Sequence, residues 1–94
     1  MRGYELTLIF HPGLEKTDQE KLLDKVKKIV EDATGKVVKV DEWGKKLLSY
    51  PIAKQKEGVY ILLTLELEGK EAQKLEEKLK IEEKVLRHLL VRKE

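Results

Sequence analysis

The run Val59-Tyr60-Ile61-Leu62-Leu63-Thr64-Leu65-Glu66-Leu67 carries a strand pattern. Its odd positions, Val59, Ile61, Leu63, Leu65 and Leu67, are all apolar, whereas Tyr60, Leu62, Thr64 and Glu66 share the other parity. Successive side chains of a strand point to opposite faces, so this is a strand with its odd face toward a core. Upstream, residues 36–51 form a second strand-like run that begins Lys36-Val37-Val38-Lys39-Val40. Lys54-Gln55-Lys56-Glu57-Gly58 is the short polar connection between the two. Gly44 predicts a bulge or a strong twist, and Pro51 predicts an edge position or a strand end, since proline has no donor for a ladder. The upstream run also reads Trp43-Gly44-Lys45-Lys46-Leu47-Leu48-Ser49-Tyr50-Pro51-Ile52. A plain sheet edge has little use for Trp, Tyr and paired lysines in one ribbon. That mixture suits a surface that meets both a protein and a polyanion.

Helical patterns flank this hairpin on both sides. Before it, Thr17-Asp18-Gln19-Glu20 has the form of a capping box, in which the hydroxyl and the carboxylate satisfy each other's backbone amides. Leu22, Leu23, Val26, Ile29, Val30 and Ala33 follow at helical spacing as one apolar stripe, and Gly35 predicts a left-handed stop. After it, Glu68-Gly69-Lys70 leads into a helix with a narrow stripe of Ala72, Leu75 and Leu79. At the outer ends, Tyr4, Leu6, Leu8 and Phe10 alternate as a strand that His11-Pro12-Gly13 terminates. Residues 85–91 are apolar on both parities apart from Arg87 and His88, which predicts a central strand or an outer face covered by something. The order strand, helix, strand, strand, helix, strand, with right-handed crossovers, gives an α+β fold. It is a ferredoxin-like βαββαβ two-layer sandwich: a four-stranded antiparallel sheet with two helices on one face and nothing on the other.

The chain has 94 residues, enough for one domain spanning 1–94. Lys and Arg number 20 against 18 Asp and Glu, a balance of +2, so any nucleic-acid contact must come from local clustering. Cysteine is absent, which excludes disulfides, thiol catalysis and Cys-ligated zinc. No apolar run approaches the ~20 residues of a membrane span, and Glu5 and Thr7 interrupt any signal-peptide pattern at the start. The expectation is a soluble cytoplasmic protein.

Catalytic constellations are missing as well. His11 reads as a loop residue before Pro12, and His88 as a partly buried strand residue or a surface RNA contact. Ser49 lacks a G-x-S-x-G setting. Glu76-Glu77 and Glu82-Glu83 lie among lysines on solvated faces, where general acid–base chemistry lacks a desolvated acid. The six glycines are scattered and form no phosphate loop. No enzyme, cofactor, metal site or small-molecule substrate is expected. Within this fold, an RNA-recognition motif needs K/R-G-F/Y-G/A-F-V-x-F/Y on its third strand. Lys56-Glu57-Gly58-Val59-Tyr60-Ile61-Leu62-Leu63 keeps one of its three aromatics. An acylphosphatase-like site needs an Asn, and the chain has none.

Several pieces, taken in order, resemble a known family. They are Met1-Arg2-Gly3-Tyr4-Glu5-Leu6, His11-Pro12, Trp43-Gly44-Lys45-Lys46, Tyr50-Pro51-Ile52, Gly58-Val59-Tyr60 and Val85-Leu86-Arg87-His88-Leu89-Leu90-Val91-Arg92. Over essentially the whole chain they are similar to the bacterial small-subunit ribosomal protein S-six. That resemblance implies a structural role in translation, in a ribonucleoprotein, with two partners: central-domain ribosomal RNA and the small basic ribosomal protein S-eighteen. Members often carry an acidic C-terminal tail, whereas this chain stops at Glu94, and Gly3 stands where relatives often place a basic or aromatic residue.

By the same resemblance, Arg2, Arg87, Arg92 and Lys93 are expected phosphate contacts. Lys45, Lys46, Lys54 and Lys56 form a second basic set on the hairpin. Trp43, Tyr50, Tyr60 and Leu62 are the expected contacts to the protein partner, with internal packing of the hairpin as the competing reading. Two rival functions use the same fold: a stand-alone module that self-associates through its open sheet face, and an engineered sequence on this scaffold without a working site.

Overall fold

The computed structural model describes residues 2–52 and 54–93. Its elements run β1 (Arg2–Phe10), α1 (Lys16–Asp32), β2 (Lys36–Ile52), β3 (Gln55–Leu67), α2 (Gly69–Lys80) and β4 (Val85–Lys93). The strands form one sheet in the order β2-β3-β1-β4, with antiparallel pairing throughout. This is the ferredoxin-like βαββαβ sandwich expected from the alternation patterns.

Register explains the layering. Leu6 pairs with Leu63, and Leu8 with Ile61, so the even residues of β1 and the odd residues of β3 share one face. Against that face α1 places Leu22, Leu23, Val26 and Val30, and α2 places Ala72, Leu75 and Leu79. Leu6, Leu8, Phe10, Leu63 and Leu65 lose all their exposure there. Each such side chain contributes roughly 1.5–3 kcal/mol of burial free energy.

Helix α1 departs from its expected start. It begins at Lys16 with Glu15 as N-cap and no side-chain cap, so Thr17 lies inside the first turn and no capping box forms. Leu14 packs against the core, and the Gln19 amide donates to its carbonyl at 2.9 Å. That tie starts the helix just past Leu14. At the other end Thr34, not Gly35, takes the left-handed conformation (φ 58°). Thr34 N–H donates to Glu31 and Gly35 N–H to Val30, the paired bonds of a Schellman stop. Gly35 is needed for a different reason. A Cβ there would lie 2.4 Å from Leu67 Cδ2 and 2.6 Å from the Glu66 carbonyl.

The hairpin is longer than its polar sequence suggests. Strand β3 begins at Gln55, so 55–58 are strand and not connection, and Lys54 (φ 67°) makes the turn. At ~3.3 Å per residue the 17 residues of β2 would span about 50 Å if straight. The molecule's longest axis is 36 Å, so β2 must bend. It does so at three register breaks, one of them between Glu42 and Gly44, where Gly44 has φ 82°. Pro51 is accommodated because β2 is an edge strand.

Strand β4 is also an edge strand, which excludes the central position, one of the two readings its apolarity allowed. Its even residues Leu90 and His88 face the helix layer, opposite Leu6 and Leu8. Its odd residues Leu89 and Val91 stand on the helix-free face, 51% and 47% exposed. The two-sided apolarity of this segment therefore reflects an apolar patch on the open face.

Candidate RNA and protein interface

The helix-free face of the sheet is assembled by pairing. Thr7 lies opposite both Leu62 and Leu89, Glu5 opposite Thr64 and Val91, and Ile9 opposite Tyr60 and Arg87. Asp41 extends the Leu62 row and Lys39 the Thr64 row onto β2. On this face Leu62 of β3 and Leu89 and Val91 of the β4 edge therefore stand on either side of Thr7 and Glu5 of β1, with charged groups around them.

The aromatic residues gather at the hairpin side of this face. The bulge at Gly44 lets Trp43 swing onto the open face, where its ring stacks on Tyr60 at 6.5 Å between centroids and 12° between planes. Lys46 Nζ sits 5.6 Å from the Trp43 ring, a cation–π contact. Trp43 is 52% exposed and Tyr50 56%, so neither is consumed by packing. Tyr60 and Leu62 are half-buried. Of the four expected partner residues, Trp43, Tyr60 and Leu62 thus lie on this face, and Tyr50 on the arm of β2 that reaches Arg87. Leu89 and Val91 belong with them. The sequence marked both as apolar but did not say which face each occupied, because strand pairing decides that.

The curled end of the hairpin covers one corner of this face. Ile9 has open-face parity, yet it is only 7% exposed. Its methyl lies where a Cβ on Gly58 would be, 2.3 Å away, and Leu48 Cδ2 is 3.6 Å from the same point. Above it, Arg87 Nη1 donates to the Tyr50 hydroxyl, joining β4 to the arm of β2 across the width of the sheet.

The cationic residues fall into two groups. Arg87 lies at the end of the face under the hairpin arm, where Lys45, Lys46, Lys54 and Lys56 are also exposed. Lys46 has open-face parity opposite Gly58, and Lys45 the reverse, opposite Val59. At the far end Lys93 pairs with Gly3 on the open face, its ammonium 4.0 Å from Glu5. Arg92 and Arg2 have helix-side parity, opposite Tyr4 and Leu67, and are exposed at the rim. Strands β1 and β4 are neighbours, so Arg2, Arg92 and Lys93 lie at one end of the sheet, Lys93 on the open face and the two arginines on the other, whereas Arg87 is six residues, or roughly 20 Å, from Lys93.

The histidines lie elsewhere. His88 faces the helix layer, its Nε2 3.8 Å from a Glu76 carboxylate oxygen, which rules against an open-face contact. His11 Nδ1 accepts from the Gly13 amide at 3.1 Å and shapes the turn after β1. Among the described residues no cluster of three or more His, Cys, Asp or Glu could hold a metal ion, and no helix is long and apolar enough to cross a membrane.

Comparison with known proteins agrees with this architecture. The family model described as Ribosomal protein S6 matches residues 3–92. The chain is 42% identical to the small ribosomal subunit protein bS6 of Clostridioides difficile over 91 residues, covering 97% of this chain and 98% of that protein. It is 42% identical to the Heliobacterium modesticaldum protein of the same name, over 100% of this chain and 98% of the relative. The crystal structure of 30S ribosomal protein S6 from Thermotoga maritima superposes with a TM-score of 0.92 at 31% identity, covering 98% of this chain and 87% of that one. With sequence and fold in agreement along its length, the chain belongs to the Ribosomal protein S6 family of the small ribosomal subunit.

Proposed function

We propose that this chain is a structural, non-catalytic component of the bacterial small ribosomal subunit, in the cytoplasm, and that it binds central-domain ribosomal RNA jointly with ribosomal protein S-eighteen. Family membership supports a place in the subunit. The observation that carries the rest is the composition of the helix-free face. Trp43 stacked on Tyr60, with Leu62 on the same strand and Leu89 and Val91 across β1, gives this face half-exposed apolar area of the kind a protein partner covers. In this reading Trp43, Tyr50, Tyr60 and Leu62 take the partner. Arg2, Arg87, Arg92 and Lys93, with Lys45, Lys46, Lys54 and Lys56, flank it and take phosphates. The RNA then meets a composite surface, since the cations of this chain are divided between two ends of the sheet and its overall charge is only +2.

Filter binding to a central-domain RNA fragment, with and without S-eighteen, tests this. Binding is expected to be tight only with the partner present. It should weaken with salt by roughly one log unit of affinity per log unit of salt for each phosphate contact. The same apolar area favours a second reading, self-association of a stand-alone module. Concentration-dependent dimers that ignore both RNA and S-eighteen would support that instead.

A further inference from the structure

We infer that Tyr50 is a positioning residue for Arg87, and that the hairpin arm holds this guanidinium ready for a phosphate. The inference rests on the RNA-binding reading above and adds a mechanism that neither strand shows alone. Arg87 lies on β4, an edge strand, and has open-face parity. An exposed arginine there would sample many rotamers, and ordering it on binding would weaken affinity. Here its Nη1 donates to the Tyr50 hydroxyl, from a residue 37 positions away in the chain. The arm that carries Tyr50 is itself anchored. Ile9 is buried beneath it against Gly58, with Leu48 adjacent. A guanidinium has five N–H donors in a planar fork, so one bond to a phenol oxygen leaves a pair free for bidentate phosphate recognition. Tyr50 accepts without bringing negative charge. A carboxylate in its place would neutralise the group that the phosphate needs.

The test is a double-mutant cycle read in RNA affinity, with S-eighteen present. Tyr50→Phe keeps the ring and removes the acceptor. It is expected to weaken RNA binding about 2- to 12-fold, the penalty for ordering one long side chain, with no change in salt slope. Arg87→Ala should weaken binding and lower the slope by roughly one. In the Arg87→Ala background, Tyr50→Phe should then have no further effect. Additive losses would overturn the inference, because Tyr50 would be acting on its own contacts. An unchanged affinity for Tyr50→Phe would overturn it as well. A second measurement needs no RNA: the NMR order parameter of the Arg87 Nε–H bond in the free protein should drop in Tyr50→Phe, and an unaltered value would contradict the tether. Absence of RNA binding by the wild type would overturn the functional reading and the RNA role of Arg87 with it. Binding by the wild type with an additive cycle would overturn the positioning role alone.

Discussion

Thr34 and Gly35 divide between them the work usually done by one glycine. Thr34 holds the left-handed conformation, which is costly for a β-branched residue, and Gly35 supplies the absent side chain that lets the chain pass Leu67 and Glu66. Replacing Thr34 with Asn, which tolerates this region better, should raise stability by about 0.5–1 kcal/mol, seen as a higher urea midpoint with unchanged slope. Gly35→Ala should lower it by about 1–3 kcal/mol in the same melts, because one of the atoms it meets is backbone and cannot yield cheaply. The sequence shows that the helix ends here, but not which residue bears φ > 0. That is set by the position of β3. Thr17 carries the same lesson. Its spacing to Glu20 fits a capping box, yet the packing of Leu14 starts the helix before the box can form.

At the scale of elements, alternation makes the strands legible and pairing assigns their surroundings. The odd parity of 59–67 correctly indicates the core side, and Leu63→Ala should cost about 2–5 kcal/mol in denaturant melts. The first helix stripe is equally plain, with Leu22, Leu23, Val26 and Val30 all buried. Strand β4 resists the same treatment. Apolar residues on both parities read as a central strand or a covered outer face, and pairing makes β4 an edge whose Leu89 and Val91 lie on the open face. Charge placed there should separate folding from binding. Val91→Lys and Leu89→Lys are expected to shift stability by no more than about 0.5 kcal/mol, as exposed substitutions do, while weakening S-eighteen binding at least about tenfold in calorimetric titrations. Of the candidate site, the aromatic ribbon and the hairpin lysines were visible in the sequence as composition. The convergence of Trp43 with Tyr60 needed the bulge, and the meeting of Tyr50 with Arg87 needed the curl of the arm over Ile9.

At the scale of the molecule, the two faces of the sheet differ in what covers them. One is sealed by both helices and accounts for the core. The other bears stacked rings, half-exposed aliphatic side chains and cations at both ends, in a chain of nearly balanced charge. Such a molecule should hold little RNA alone and much more once a basic partner completes the surface. The most direct check is chemical-shift mapping of the isotope-labelled protein during titration with S-eighteen. Perturbed amides and side chains are expected to cluster on Thr7, Trp43, Tyr50, Tyr60, Leu62, Leu89 and Val91, while α1 and α2 stay unmoved. Perturbations centred on the helices, with the open face silent, would contradict that placement of the partner.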